Sequence, residues 1–503
     1  MVALRARAIV TAATVIAILV TGASAGPKAA PARRVITPPP AVAAVLPGPA
    51  VLVLPDDGPA ALAVATSRQL LRRSPAAVVV TDGDPALPTA LAEAVRRGIP
   101  VFPVPATADD PADGPAADPA GVRAELSRIG AAAVWAVGDG ARRWSVAAGL
   151  ATVPSADRLP AIAPPRPADL LVLTDGGAGQ VGALAVAQAA GARVATVPGG
   201  DPRTGMSPGT AGHVVALGAA FGPPERLAAR LATSAAGKQL PGGGSQVLFP
   251  GRTMVALYGH PGAPALGVLG EQDVAGAVAR AKDLAAKYAP VAGESVVPAF
   301  ELIATVASGA PGPDGDYSAE ADVAKLRPWV DAAAAAGVYV VLDLQPGRSD
   351  FLSQARRYAE LLTEPNVGLA LDPEWRLGPA QVHRAQIGSV GVDEINAVIS
   401  WLATLTREQA LPQKLLMVHQ FKVSMITGRE RLDTSHDELA VVIHADGFGT
   451  PALKFATWNA MHAAAPAGIH WGWKNFIDED SPTFTPAQTM AVGPTRPVFV
   501  SYQ

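Results

Sequence analysis

The sequence predicts an α/β protein in two parts, an N-terminal parallel-sheet α/β domain followed by a (β/α)8, TIM-like barrel. Three observations predict it. Between residues 48 and 235, short apolar runs without polar alternation are spaced by helix-like stretches, the pattern of parallel strands covered on both faces. Between 251 and 503, eight strand-like runs alternate with amphipathic stretches, which fits a barrel in both count and size. Polar residues gather at the carboxyl ends of those eight runs, where barrel active sites form.

Composition sets the outer bounds. The chain has 503 residues, 49% hydrophobic and 17% charged, with 50 Gly, 48 Pro and a net charge of −3. That is enough apolar content for large cores and many turns. The balance of charge offers no basic face, so nucleic acid is not an expected partner. There is no cysteine, which excludes disulfides, thiol catalysis and thiolate metal sites.

Residues 1–25 read as a signal peptide. Arg5 and Arg7 precede an apolar run over 8–20, too short for a comfortable membrane span, and Ala23-Ser24-Ala25 has the small-x-small form of a cleavage site. An uncleaved anchor is the alternative; either way the chain is expected to be exported. No integral membrane segment is expected after cleavage. Residues 26–47, rich in Pro and Ala, read as an extended tether.

The apolar runs of the first domain are 51–54, 76–80, 100–104, 131–137, 169–173 and 192–197, with helix-like stretches at 60–73, 87–97, 121–129 and 181–190. Asp82, Asp139 and Asp175 follow strands, but each is followed by Gly and reads as turn chemistry. No GxGxxG or Walker pattern follows any strand, so no nucleotide or other cofactor is expected. The phrase AVATSRQLLRRSPAAVVVTDGDPALPTALAEAVRRGIPVFPV, with ELSRIGAAAVWAVGDG after it, resembles the cell-wall-binding repeat 2 family. Residues 168–200 read as a degenerate second copy. The resemblance covers about 150 residues of this chain and implies attachment to cell-envelope polymer, without identifying a binding residue.

Residues 236–250 contain Pro241-Gly242-Gly243-Gly244-Ser245 and read as a linker, hinged at this stretch. The barrel runs follow at 254–260, 296–304, 338–345, 367–374, 414–421, 439–447, 468–476 and 497–503. Helices are expected at 273–288, 321–336, 351–362, 392–409 and 452–464, and the last connection, 477–496, is only weakly helical. An open doubly wound sheet is the rival architecture.

The polar residues at the strand ends form the candidate site. Strand one ends in Tyr258 and His260, and strand two carries Glu301. Strand three ends in Asp343 and Gln345, and strand four in Asp372 and Glu374. Strand five offers His419, strand six His444 and Asp446, strand seven Trp471, Trp473 and Lys474, and strand eight Tyr502. In VGLALDPEWR (367–376), alternation puts Gly368, Ala370, Asp372 and Glu374 on one face and Val367, Leu369 and Leu371 on the other. Two carboxylates flanking a bond are the equipment of glycoside hydrolysis. Neighbouring carboxylates raise each other's proton affinity, so one can remain an acid near neutral pH.

The Asp-Pro-Glu-Trp stretch resembles the Asp-x-Glu motif of barrel glycosidases that cut amino-sugar polymers, such as family 18 chitinases and family 25 lysozymes. The resemblance implies Glu374 as general acid, with Asp372 supporting it or the substrate, and a cell-wall or extracellular glycan as partner. Strand seven departs from the retaining pattern, having Lys474 where a nucleophilic Glu is expected; the second catalytic carboxylate is then Asp343 or Asp446. Trp375, Trp471 and Trp473 are candidates to stack on sugar rings or to pack. Glu301 either orients another group or pairs with Lys474 or Arg376. Two further readings stand beside this one. The barrel is a non-catalytic glycan binder, or His260, His419, His444 and Asp446 mark a metal hydrolase. Barrel amidohydrolases carry His-x-His on strand one and Asp on strand eight, where this chain has Tyr-Gly-His and Ser-Tyr-Gln, so no metal is expected.

Overall fold

Eight parallel strands close into a barrel. Strand one (Arg252–Gly259) pairs with strand two (Ser295–Ala307) on one side and with strand eight (Phe499–Tyr502) on the other. Strands three to seven, Tyr339–Leu344, Val367–Leu371, Lys414–Gln420, Leu439–Ala445 and His470–Asn475, complete the circle in chain order. Each overlaps the run expected for it, and closure rules out the open sheet. This computed structural model describes residues 39–503 apart from 106–117, 119, 164, 167 and 206. The expected signal peptide, 1–25, and residues 26–38 of the tether lie outside the described residues.

Strand four is shorter than expected. It ends at Leu371, and Pro373–Trp375 form a 3-10 turn. Pro373 has no N–H to give to a strand ladder, so the chain turns there and lifts Glu374 to the mouth.

Helices Val274–Ala292, Val323–Ala336, Phe351–Arg357, Ala359–Leu362, Val392–Glu408 and Pro451–His462 surround the barrel. Local capping explains two of the starts. The Asp273 carboxylate accepts from the Gly276 amide and the Asp350 carboxylate from the Ser353 amide, each satisfying an orphan donor. The last connection contains only the short helix Pro486–Met490.

The period-2 reading of strand four holds. Leu369 and Leu371 face outward into a cluster with Ile395 and Leu402. Ala370 faces inward with Met254, Ala256, Val341, Met417 and Val442. Leu240, Leu248 and Phe249 join that inner cluster and plug the barrel base. Leu248 is further held by its amide, which donates to Gln413 Oε1 at 2.9 Å. The segment read as a linker is therefore also part of the barrel core.

The N-terminal part holds two parallel four-stranded sheets where the sequence suggests one. The first runs Val51–Leu54, His213–Leu217, Leu170–Thr174, Arg193–Thr196, and the second Val101–Val104, Ala76–Thr81, Ala133–Val137, Thr152–Val153. Apolar runs mark strands but not their partners, and a further strand, His213–Leu217, lies outside the six expected runs and occupies an inner position. Leu62, Phe102, Val172, Val186 and Val215 belong to one core cluster spanning both sheets. Ala43–Ala44 pairs antiparallel with Leu71–Arg73, so the end of the expected tether is docked.

Residues 40–503 form one compact unit. Its two parts meet at the barrel base, where the buried Arg203 guanidinium donates to Asp201 and Asp437, both at 2.8 Å, and Arg230 donates to Asp437 at 2.6 Å.

Candidate active site

Inward-facing positions near the carboxyl ends of the strands change from apolar to polar, and two levels result. The deep level comprises Tyr258, Glu301, Asp343, Asp372, His419 and His444, all buried. Above it, Gln345, Glu374, Asp446 and Lys474 line an open cavity of about 890 Å³, which Tyr258 also reaches.

Apart from Asp372, the deep level is one connected network. His419 Nδ1 lies 3.0 Å from Asp446 Oδ2, and His419 Nε2 lies 2.7 Å from Glu301 Oε1 and 3.8 Å from Asp343 Oδ1. The Tyr258 hydroxyl donates to Asp343 Oδ2 at 3.1 Å and accepts from Gln345 Nε2 at 3.2 Å. The Lys474 ammonium sits 3.6 Å from the centroid of the Tyr258 ring, a cation–π contact. His444 Nε2 lies 2.8 Å from Ser501 Oγ, and its ring meets that of His419 edge to face at 5.1 Å.

Proton affinities follow from burial and charge. Glu301, Asp343, Asp372, Glu374 and Asp446 are five carboxyl groups close to two side-chain cations, His419 and Lys474. They cannot all ionise in a low-dielectric site. Burial, then the Glu374 charge, lifts Asp372 well above the carboxylate range. Burial, then Asp446, pushes Glu374 up to about 7. Burial pushes Asp343 up to about 6, against the pull of His419. His419 itself is driven down by burial, but Glu301 and Asp446 outweigh this and hold it well above the ordinary imidazole range. His444 is pushed well below that range by burial and then by the His419 charge, so it is neutral.

Most of the expected site residues converge here, and four do not. Trp471 and Trp473 point outward, packing with Trp458 at 5.6 and 5.4 Å between ring centroids. Tyr502 also points outward, its hydroxyl 2.6 Å from that of Tyr288. Alternation is the reason: Lys474 faces in, so Trp471 and Trp473 face out, and Ser501 takes the inward place beside Tyr502. His260 is held at the strand-one end by Ile303 O, 2.8 Å from its Nδ1, and is not among the cavity-lining residues. Glu301 pairs with His419 and with neither expected cation; Arg376 pairs instead with Glu394 at 3.0 Å.

The cavity wall also includes residues the sequence reading missed. Phe421, Phe448 and Phe476 follow the ends of strands five, six and seven, and His383 and Arg384 lie in the loop after strand four. The phenylalanines were within reach of sequence reasoning, since each lies no more than three residues past a strand. His383 and Arg384 carry no periodic signal. Trp375 lines the same wall, 5.3 Å from the His383 ring.

Fold and site together define a (β/α)8-barrel protein with a carboxylate–histidine core beneath an aromatic-walled mouth. No family model matches the chain, and no curated protein matches it. Among the described residues, no helix is long and apolar enough to cross a membrane.

Proposed function

We propose that the protein is an exported glycoside hydrolase acting on a cell-wall or extracellular polysaccharide by carboxylate acid/base chemistry. One observation carries this reading. Glu374 combines a place in the wall of the open cavity with a proton affinity raised to about 7, so it can meet a substrate and still hold a proton to give. In the proposed step Glu374 protonates the glycosidic oxygen as the C–O bond breaks, and the leaving sugar departs as an alcohol. Of the two candidates for the second carboxylate, Asp446 is favoured over Asp343. Asp446 lines the cavity and is oriented by His419, whereas Asp343 is fully buried and is not among the cavity-lining residues. Asp446 then either activates water or attacks the anomeric carbon, and water supplies the final hydroxyl.

Trp375, Phe421 and Phe476 offer apolar faces for sugar rings. The envelope setting is supported by the 1–25 sequence pattern and by the resemblance of the N-terminal part to cell-wall-binding repeats; its two similar parallel sheets are in keeping with a duplicated unit. The test is incubation of the purified protein with a panel of isolated envelope polysaccharides, following new reducing ends. Release from at least one polymer is the expected result. Saturable binding with no release from any of them supports the glycan-binder reading instead. Exported protein is expected to begin near residue 26 on N-terminal sequencing.

A further inference from the structure

At the floor of the cavity lies a concentration of buried side-chain atoms without hydrogen-bond partners. Glu301 Oε1 and Oε2, Asp343 Oδ1, Asp372 Oδ1, His419 Nε2, His444 Nδ1 and Asp446 Oδ1 make seven of the thirteen such atoms among the described residues. An unsatisfied buried acceptor costs roughly 1–3 kcal/mol, and more when charged, so a cluster of them calls for a counter-charge. A proton on His419 answers part of this, through the 2.7 Å approach of Nε2 to Glu301. That contact lacks hydrogen-bond alignment, however, and the proton leaves Asp343 Oδ1 and the second Glu301 oxygen unmet.

The two histidines share a second feature. His419 is oriented through Nδ1 by Asp446, so that Nε2 faces Glu301 without an aligned hydrogen bond, and His444 is oriented through Nε2 by Ser501, leaving Nδ1 without a hydrogen-bond partner. Metal-ligating histidines are typically held in this way, by a carboxylate, backbone carbonyl or water on the other ring nitrogen, and the Ser501 hydroxyl takes the corresponding place on His444. Glu301, His419 and His444 each offer a ligand atom within 4.8 Å of the others'. Gly472 keeps open the space beside His444 Nδ1, where a Cβ would stand 2.1 Å away. The amidohydrolase pattern of His-x-His on strand one is absent from this chain; Glu301, His419 and His444 come together instead from strands two, five and six.

We propose that Glu301, His419 and His444 hold a first-row divalent transition-metal cation. Two imidazoles and a carboxylate suit zinc or its neighbours better than calcium or magnesium, which prefer all-oxygen sites. The proposal does not rest on the glycosidase reading, because its test reads metal and not turnover.

The full chain, stripped with chelator, is titrated with Zn2+ and separately with Mg2+ by calorimetry, and its metal content is measured after desalting. One Zn2+ retained per chain and no retained Mg2+ is the expected result. Glu301→Gln and His419→Gln are each expected to weaken Zn2+ binding at least about tenfold, with folding checked by circular dichroism. Asp314→Asn, at the exposed member of the Asp314–Asp316–Glu320 cluster, is expected to leave it unchanged. No stoichiometric uptake by the wild type, uptake that survives both substitutions, or loss on Asp314→Asn overturns the proposal. Should the site variants fail to fold, the spectrum of the Co2+-loaded wild type decides. Intense low-coordinate d–d bands support nitrogen ligation in the core, and a weak octahedral all-oxygen spectrum overturns it.

Discussion

At the scale of single residues, alternation along a strand decides who can act. Trp471 and Trp473 cannot share a face with Lys474, so they belong to the outer core with Trp458 and His462, the latter stacked on Trp471 at 3.6 Å. Trp471→Ala is accordingly expected to destabilise the fold by about 3–5 kcal/mol, read as a lower urea midpoint. Trp375→Ala, at the half-buried cavity wall, is expected to leave the midpoint near wild type and to weaken oligosaccharide binding. The reverse pattern contradicts the assignment of faces. Glu374 carries its own pH signature. A general acid must be protonated, and its proton is lost through about 7. The rate kcat/KM should therefore fall as pH rises past that value; a rate still rising between pH 7 and 9 argues against Glu374 as the acid.

At the scale of elements, strand five begins with a buried amine. Lys414 Nζ donates to Glu364 O at 2.8 Å and Val367 O at 2.7 Å, and burial pulls it from 10.5 down to about 7. Between those values the unfolded chain binds more protons than the folded one, so this group makes stability rise with pH from about 7 to about 10. Lys414→Met should remove that rise in urea midpoints measured at pH 7, 8 and 9, and an unchanged slope refutes the assignment. The barrel strands and their helices were legible because each keeps its period over a full element. The end of strand four was not, because Pro373, standing between the two acids, stops the ladder at Asp372. The base plug was not legible either: Leu248 and Phe249 are only two apolar residues after a Gly-rich stretch that reads as a hinge. In the site, every residue of the deep level was readable from strand ends, whereas Ser501, the inward partner of His444, was not. His383 and Arg384 were not, since a loop has no period to read.

At the scale of the whole molecule, the N-terminal part sits at the barrel base, and the carboxylate mouth opens at the opposite ends of the strands. That arrangement suits the proposed attachment through the N-terminal part, with the mouth left open to polymer. The contact between the parts is more than a tether. Gly242–Gly244 are exposed, so limited proteolysis should cut there. The two pieces should still co-elute on gel filtration, held by Arg203 and Arg230 on Asp437 and by the Gln246 amide on Arg203 O at 2.9 Å or less. Pieces that separate at once would mean that this base contact is weak. The central claim is that Glu374 delivers a proton to a glycosidic bond, and it is tested most directly by turnover of a cleaved envelope glycan in wild type and Glu374→Gln. Gln keeps the size and much of the hydrogen bonding but has no transferable proton. The account predicts a fall in kcat of roughly 10²–10⁴-fold with sugar affinity and melting temperature close to wild type; undiminished turnover by Glu374→Gln would contradict it.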